Sequence, residues 1–230
     1  MPYDLQPLLL TFKLAAITTA ILFVIGVPLA YWMAVSTRRY RPVVEALVSL
    51  PLVLPPSVLG FYLLLAFTPA RGLGHFLQSV FGIVLAFNFK GLVVASVIFS
   101  LPFMVQPLQS GFRSLPTSLR EAAYTLGLSE LRTLLRILLP NLRPALLAAA
   151  VLTFAHTVGE FGVVLMVGGA VPGQTRVASI AIYDEVEALN YGAANFYALI
   201  LVAVCFGVLL LIYMLNRPAD PRLLRRPPGA

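Results

Sequence analysis

The chain has few charged residues and almost no cysteine. Only 11% of its 230 residues are charged, whereas 60% are hydrophobic, and the mean hydropathy is +0.92. Soluble domains carry about 25% charged residues, so this composition excludes an ordinary soluble domain and predicts a polytopic membrane protein. The single cysteine, Cys205, lies in an apolar run, which excludes an intrachain disulfide and a cysteine-based metal cluster.

Sequence motifs of catalysis are also missing. The chain contains no Walker A lysine loop, no Gly-x-Ser-x-Gly elbow and no His-Glu-x-x-His pair. We therefore expect a protein that is not an enzyme by itself and does not hydrolyse ATP. The N-terminal residues Met-Pro-Tyr-Asp lack the basic region of a cleaved signal peptide, so the first apolar segment is expected to direct its own insertion.

Apolar segments long enough to cross a bilayer, for which about 20 residues suffice, recur along the chain. They cover residues 8–35, 43–67, 83–105, 144–166 and 193–215. The pattern predicts an all-α polytopic membrane protein of about five spans, with a transmembrane domain over residues 8–216 and a basic tail over 217–230.

The basic residues cluster on one side of this predicted topology. The loop Arg38–Arg41 carries three, the segment Arg113–Arg143 five and the tail four, which is twelve of the 16 Lys and Arg residues. The positive-inside rule then predicts that the N-terminus is outside and the C-terminus is cytoplasmic. The basic surplus is thus explained by topology and does not indicate nucleic-acid binding.

The segment 118–140 is the longest stretch outside the spans, and it predicts two short helices around a glycine. Ser118 and Glu121 form a capping-box pattern at the start of the first helix. Gly127 stands where a left-handed residue would end that helix, and Ser129 is suited to cap the second. Pro140 is expected to end the second helix. Apolar residues at helical spacing predict one face on each helix: Leu119, Ala122, Ala123 and Leu126, then Leu131, Leu134, Leu135 and Leu138.

The same segment resembles the EAA loop of binding-protein-dependent ABC importer permeases. The residues that carry the resemblance are Glu121, Ala122, Ala123, Gly127, Ile137, Leu139 and Pro140. The resemblance implies the all-helical core of a type I importer, used as a homodimer, in which this loop forms coupling helices that dock on an ATP-binding subunit. By periodicity alone, an amphipathic helix pair lying on the membrane surface fits equally well.

Prolines interrupt the second apolar segment at Pro51, Pro55 and Pro56, which predicts a kinked or discontinuous span. Non-helical backbone at membrane depth is tolerated only where protein or a water-filled cavity satisfies it. The bend is therefore a candidate pathway element, and a plain proline kink packed among helices is the alternative. The run from Leu50 to Pro56 also resembles the equivalent region of molybdate permeases.

Two ionisable residues, His156 and Glu160, lie four apart in the fourth apolar segment and would share a helix face. Ionisable groups inside a span are candidates for function. The alternative is a Glu160 close to the outer interface, where water or a partner satisfies its charge. Gly159-Glu160-Phe161-Gly162 resembles a segment shared by molybdate and sulfate permeases, so a bend or gate is expected there.

The polar stretch between the last two spans predicts an outer loop with a short helix over 177–189. Pro172-Gly173-x-Thr175-Arg176 and the residues up to Asn190 resemble molybdate permeases, which implies contact with a binding protein. An ordinary outer loop is the alternative. Because no arginine lies deep in any span, we expect a pathway that binds an anion weakly.

Taken over the whole chain, the resemblance is to molybdate ABC transporter permeases. It implies import of molybdate or tungstate across a bacterial plasma membrane. The implied partners are a second copy of the chain, ATP-binding subunits and an extracytoplasmic oxyanion-binding protein. It further implies that the chain binds no cofactor, because ATP is bound by the partner subunit. The alternatives are a sulfate or thiosulfate permease and, from another class, an ion-coupled secondary carrier, although the sequence shows no convincing internal repeat.

Overall fold

The computed structural model describes residues 4–70 and 72–215, and these residues form helices and connecting turns without a strand. The predicted basic tail and Arg71 lie outside the described residues. The helices are α1 Gln6–Val35, α2 Arg41–Val53, α3 Pro56–Phe67, α4 Gly72–Phe81, α5 Phe89–Ser114, α6 Thr117–Thr125, α7 Glu130–Thr133, a π-helical turn Leu134–Leu138, α8 Leu139–Asn141, α9 Arg143–Val158, α10 Gly162–Gly168, α11 Ala178–Glu187 and α12 Tyr191–Leu215.

Three of these helices are long and apolar enough to cross a membrane by themselves: α1, α5 and residues Tyr191–Leu211 of α12. Two pairs of helices are bent at a short break, and if each pair is counted as one span, the described residues contain five candidate spans. In the first pair, α2 and α3 meet at an angle of 112°. In the second, the helical run Glu130–Asn141 meets α9 at 82°. The fold is therefore all-helical and polytopic, as the apolar segments predict.

The core is built around the packing of α1 against α5. Leu22 and Met33 of α1 are buried together with Met104 and Leu108 of α5. The helices approach closely at Gly26, where a β-carbon would stand 2.7 Å from Cγ of Met104. Because there is no room for a side chain at that position, the small residue lets the two longest central helices pack tightly.

Helix α5 differs from the predicted third apolar segment, residues 83–105. It begins at Phe89 because the side chain of Asn88 accepts a hydrogen bond from the Lys90 N–H at 3.0 Å and caps it. It continues to Ser114 through Pro102 and Pro107, because proline can be accommodated in a membrane helix whose freed carbonyls find other partners.

Only two non-glycine residues among those described have positive φ angles, Phe87 at 54° and Leu189 at 59°. A left-handed backbone costs an L-residue about 1–2 kcal/mol. For Phe87 the surroundings explain this cost. Its N–H donates to the carbonyl of Val167 at 2.9 Å, and its ring packs over Gly169, where a β-carbon would lie 3.3 Å from Cδ1 of Phe87.

Candidate functional site

The first coupling helix begins earlier than the capping-box pattern predicts. Helix α6 starts at Thr117, with Pro116 at the N-cap and no side-chain capping bond, so Ser118 is already inside the helix. The capping-box prediction is wrong, because the extended backbone that Pro116 adopts (φ −57°, ψ 134°) places the helix start one turn before Glu121. The Glu121 carboxylate is exposed and has no hydrogen-bond or ion-pair partner among the described residues.

The predicted left-handed residue at Gly127 is confirmed. Its φ is +72°, and two backbone hydrogen bonds close a Schellman motif: Gly127 N–H to the Tyr124 carbonyl at 2.9 Å, and Leu128 N–H to the Ala123 carbonyl at 3.0 Å. A β-carbon at Gly127 would meet nothing within 4 Å. Backbone conformation, not lack of space, therefore requires glycine here.

The second helix does not end at Pro140, and that prediction is wrong. Ser129 is at the N-cap as predicted, although its hydroxyl makes no capping bond. A π-helical turn over Leu134–Leu138 brings the Leu139 N–H to the Leu134 carbonyl. This wider turn changes the hydrogen-bond pairing just before Pro140. The helix therefore tolerates the N–H that proline lacks and continues to Asn141.

The apolar side chains of this segment lie on two sides, one packed against the protein and one exposed. Ala123, Leu134 and Leu138 are buried against the protein, and Ile137 and Leu139 are half-buried against the α1–α5 core. Ala122 and Pro140 are exposed. Large apolar side chains on the other side of the segment also remain exposed: Tyr124, Leu126, Leu131 and Leu135. Ile137 and Leu139 thus anchor the segment, while the exposed side chains form a free apolar face, called here the coupling face.

Polar contacts also fix this segment to the spans. The Tyr31 hydroxyl of α1 donates to Oε1 of Glu130 at 3.3 Å, and the Arg120 guanidinium lies 6.0 Å from the centre of the Tyr31 ring. On the same side, Glu45 of α2 pairs with Arg113 of α5 at 2.7 Å. Sequence reasoning missed these pairings, because residues 68 to 99 positions apart give no local signal.

The second candidate site is the place where the break between α2 and α3 meets the break between α9 and α10. Helix α3 begins at Pro56 after the bend at Pro55, and helix α10 begins at Gly162 after a break that follows α9. A β-carbon at Gly162 would lie 2.9 Å from Cβ of Pro56. The two predicted bends are therefore in direct contact, and glycine at position 162 permits this approach.

A cavity of about 650 Å³ opens beside this contact. It is lined by Pro56, Ser57, Phe99, Ala155, His156, Gly159, Glu160, Phe161 and Gly162. The structure thus brings five of the six predicted pathway residues to one cavity, and Pro55 adjoins it through Pro56. Among the described residues, no Lys or Arg side chain lines the cavity.

Glu160 is buried, and it lines this cavity. The residue is 4% exposed, and neither carboxylate oxygen has a hydrogen-bond partner among the described residues. Ser96 faces the carboxylate, but its hydroxyl makes no hydrogen bond of ordinary geometry. Glu160 lies in the break between α9, which ends at Val158, and α10, which begins at Gly162. A buried polar group without a partner is costly, at about 1–3 kcal/mol.

His156 and Glu160 do not share a helix face, because α9 ends at Val158. They line the same cavity from different elements. Nδ1 of His156 lies 2.9 Å from the Ser100 hydroxyl, which in turn lies 3.0 Å from the Thr157 hydroxyl. Thr157 donates to the Thr153 carbonyl, so Ser100 must donate to Thr157 and accept from Nδ1–H of His156. Phe103 stacks on the imidazole at 3.8 Å and holds it in this orientation.

The geometry therefore defines a class of protein: a helical membrane protein in which the α2–α3 and α9–α10 breaks meet beside a cavity and the segment between α5 and α9 carries a free apolar face. The chain belongs to the family of binding-protein-dependent transport system inner membrane components, whose model matches residues 26–223. Its fold is that of the type I ABC importer permeases.

Individual relatives agree with this family. The chain is 46% identical to the molybdenum transport system permease protein ModB of Azotobacter vinelandii, over 94% of this chain and 95% of that protein. It is 33% identical to the sulfate transport system permease protein CysT of Synechocystis sp., over 77% of this chain and 62% of that one. A solved chain of a bacterial alginate ABC transporter, in complex with an alginate pentasaccharide-bound periplasmic protein, superposes with a TM-score of 0.74 at 19% identity, over 94% of this chain and 79% of that chain.

Proposed function

We propose that the chain is the membrane-spanning subunit of an ATP-driven importer that moves molybdate or tungstate delivered by an extracytoplasmic binding protein. The observation that carries this proposal is the 46% identity to a molybdenum permease along nearly the full length of both chains. The sulfate relative is less similar and longer. Sulfate or thiosulfate import is therefore the second candidate.

The coupling face supports an ATP-binding partner. Leu126 is 78% exposed and Leu131 is 65% exposed, although both lie on a segment between spans. Helices that present an apolar face outside the core commonly lay it into a groove of a partner. Because the chain itself lacks a nucleotide-binding motif, ATP would bind only to that partner and the chain would carry no cofactor.

The charge distribution supports an orientation in a bacterial plasma membrane. The segments Arg38–Arg41 and Arg113–Arg143 are separated by two candidate spans and so would lie on the same side, and together they hold eight Lys and Arg residues. The positive-inside rule places this side in the cytoplasm. The N-terminus and the loop before α11 would then be outside.

The cavity at the two breaks supports a pathway that a second copy of the chain completes. None of the described residues that line it is an arginine that could hold an anion, so an oxyanion would pass without a tight site and selectivity would rest on the binding protein. Glu160, Gly159, Phe161 and Gly162 would form the gate together with Pro55 and Pro56. In this proposal the gate opens when the unpartnered Glu160 carboxylate becomes hydrated or paired.

Uptake into vesicles tests the proposed function. The purified chain is reconstituted with its ATP-binding subunit, and the loaded binding protein is supplied outside. We expect uptake of radiolabelled molybdate that requires ATP inside and is inhibited by tungstate but not by equimolar sulfate. Uptake by the chain alone, driven by a proton or sodium gradient, would instead indicate a secondary carrier, and equal inhibition by sulfate would favour the sulfate permease.

A further inference from the structure

A small cavity of about 180 Å³ lies where α1 and α5 end and α6 begins. Val35 lines it from α1, Arg113 from α5, and Thr117 and Arg120 from α6. The exposed side chains of the coupling face are not part of its wall as far as the structure describes the chain. The cavity, called here the arginine cavity, has room for several water molecules or for one small ion.

The wall of the arginine cavity offers positive charge and hydrogen-bond donors. It contains two arginines, Arg113 and Arg120, and no Asp or Glu among the residues that the structure describes. Arg113 is paired with Glu45 at 2.7 Å, but the same carboxylate oxygen also accepts from Arg41 at 3.1 Å. Because a guanidinium is always protonated, one carboxylate is shared by two cations, and positive charge remains beside the cavity.

Arg120 has a buried donor that no described residue satisfies. Its Nε atom is shielded from solvent and has no hydrogen-bond partner in the described part of the chain. The guanidinium lies 6.0 Å from the ring centres of both Tyr31 and Tyr124, which hold it in place without removing its charge. The nearby Glu130 acts on it through charge, and Oε1 of Glu130 already accepts from Tyr31. Because a buried donor without an acceptor is costly, this atom indicates an acceptor from outside these residues.

The start of α6 adds further donors at the same place. Pro116 stands at the N-cap and makes no side-chain capping bond, and Thr117, the first residue of the helix, lines the cavity. The N–H groups of a first helical turn have no partner within the helix, and anions bind favourably there. Together with the two guanidiniums, this helix start makes the cavity suited to an anion with several oxygen acceptors.

We propose that the arginine cavity binds a tetrahedral oxyanion of the phosphate type, held between the guanidiniums of Arg113 and Arg120. Guanidiniums recognise such groups through paired N–H···O bonds. A phosphate group can reach this place from two sources, as the headgroup of an anionic lipid beside the ends of α1 and α5 or as a free oxyanion in the surrounding water. The inference goes beyond the proposed function, because binding of the anion needs only this chain and not an ATP-binding subunit.

A bound anion would connect the end of α5 to the start of α6. Only Leu115 and Pro116 separate these helices, so an anion that contacts both Arg113 and Arg120 would fix the angle between them. Arg120 also lies against the ring of Tyr124, which belongs to the coupling face. An occupied site would therefore hold the first helix of the coupling segment in one position relative to the spans.

Thermal unfolding of the purified full chain in a neutral, phosphate-free maltoside detergent tests this inference in two arms. In the first arm, inorganic phosphate is titrated against chloride at equal ionic strength. In the second arm, phosphatidylglycerol is titrated against a diacylglycerol that has no headgroup phosphate. We expect a saturable rise of a few degrees in the unfolding midpoint in at least one arm. For Arg120→Gln, which removes the charged donor, the affinity for the same ligand should fall about tenfold.

Arg136→Gln is the matched control, because Arg136 is an exposed arginine of the same segment that does not line the cavity. It should keep the wild-type response, whereas Arg113→Gln should weaken the response as Arg120→Gln does. The measurement needs neither uptake nor an ATP-binding subunit, so its result is independent of the proposed function.

The two arms also identify the ligand. A response to phosphate alone would assign the site to a free oxyanion, a response to phosphatidylglycerol alone would assign it to a lipid headgroup, and responses to both would show that either source reaches it. No response in either arm overturns the inference. A response that Arg120→Gln reduces no more than Arg136→Gln does also overturns it, because the effect would then be one of general charge.

Discussion

Gly127→Val is expected to abolish uptake while leaving the amount of the chain in the membrane near the wild-type level. The backbone at this position has a φ of +72°, which a β-branched residue strongly disfavours. The local cost is about 1–3 kcal/mol, too small to oppose insertion of the apolar spans. The valine should instead break the Schellman motif and rotate α6 relative to α7, which separates the two halves of the coupling face.

Co-purification of the ATP-binding subunit, measured beside radiolabelled oxyanion uptake, checks this expectation. Gly127→Asn is the matched control, since asparagine tolerates the left-handed conformation and no atom lies within 4 Å of its β-carbon position. It should retain both assembly and uptake. Glu121→Ala should weaken assembly less than the valine does, because it removes one exposed carboxylate and leaves the backbone intact. Normal uptake by Gly127→Val would show that the segment is a passive surface element.

Glu160→Met is expected to stabilise the resting conformation and to slow transport. The substitution keeps a side chain of similar length and removes two carboxylate oxygens that have no partner among the described residues. Relief of about 1–3 kcal/mol should raise the thermal unfolding midpoint by a few degrees in a chain of this size. If the Glu160 carboxylate gains water or a partner when the gate opens, it stabilises the open state, and Glu160→Met loses that stabilisation. Uptake should then fall about 5- to 150-fold.

Glu160→Gln serves as the matched control, because an amide of the same shape keeps an unsatisfied polar group in the wall. Its unfolding midpoint should stay near that of the wild type, and its uptake should lie between those of the wild type and Glu160→Met. A lower unfolding midpoint for Glu160→Met would contradict the account. It would mean that the carboxylate has a stabilising partner, for example on a second copy of the chain.

The features that could be predicted from the sequence are those that depend on local chemistry. The left-handed Gly127 follows from the apolar run that ends just before it, and the short helix predicted over 177–189 is confirmed as α11. The break near Gly159–Gly162 is expected from the resemblance of this segment to molybdate and sulfate permeases, and two glycines in four positions also weaken a helix. In each case the residues that give the prediction lie within one helical turn of the predicted feature.

The features that could not be predicted depend on packing between distant residues. The burial of Glu160 depends on the packing of α10 against α3, which the residues next to Glu160 in the sequence do not reveal. The division of the coupling segment into a buried and an exposed side depends on where α1 and α5 lie. The continuation of the helix through Pro140 depends on a π-helical turn that local rules for proline do not anticipate.

The most direct test of the account is to locate the coupling segment relative to the membrane, because an ATP-binding partner can reach it only from the cytoplasm. In a Cys205→Ala background, single cysteines replace Ser129 in the coupling segment and Gln174 before α11, both exposed positions. Gln174 is used because its neighbour Gly173 has a φ of +73° and would be strained by a side chain. An impermeant thiol reagent added to intact cells should label position 174 at once and position 129 only after the membrane is opened. Labelling of position 129 in intact cells would place the coupling segment outside and contradict the account.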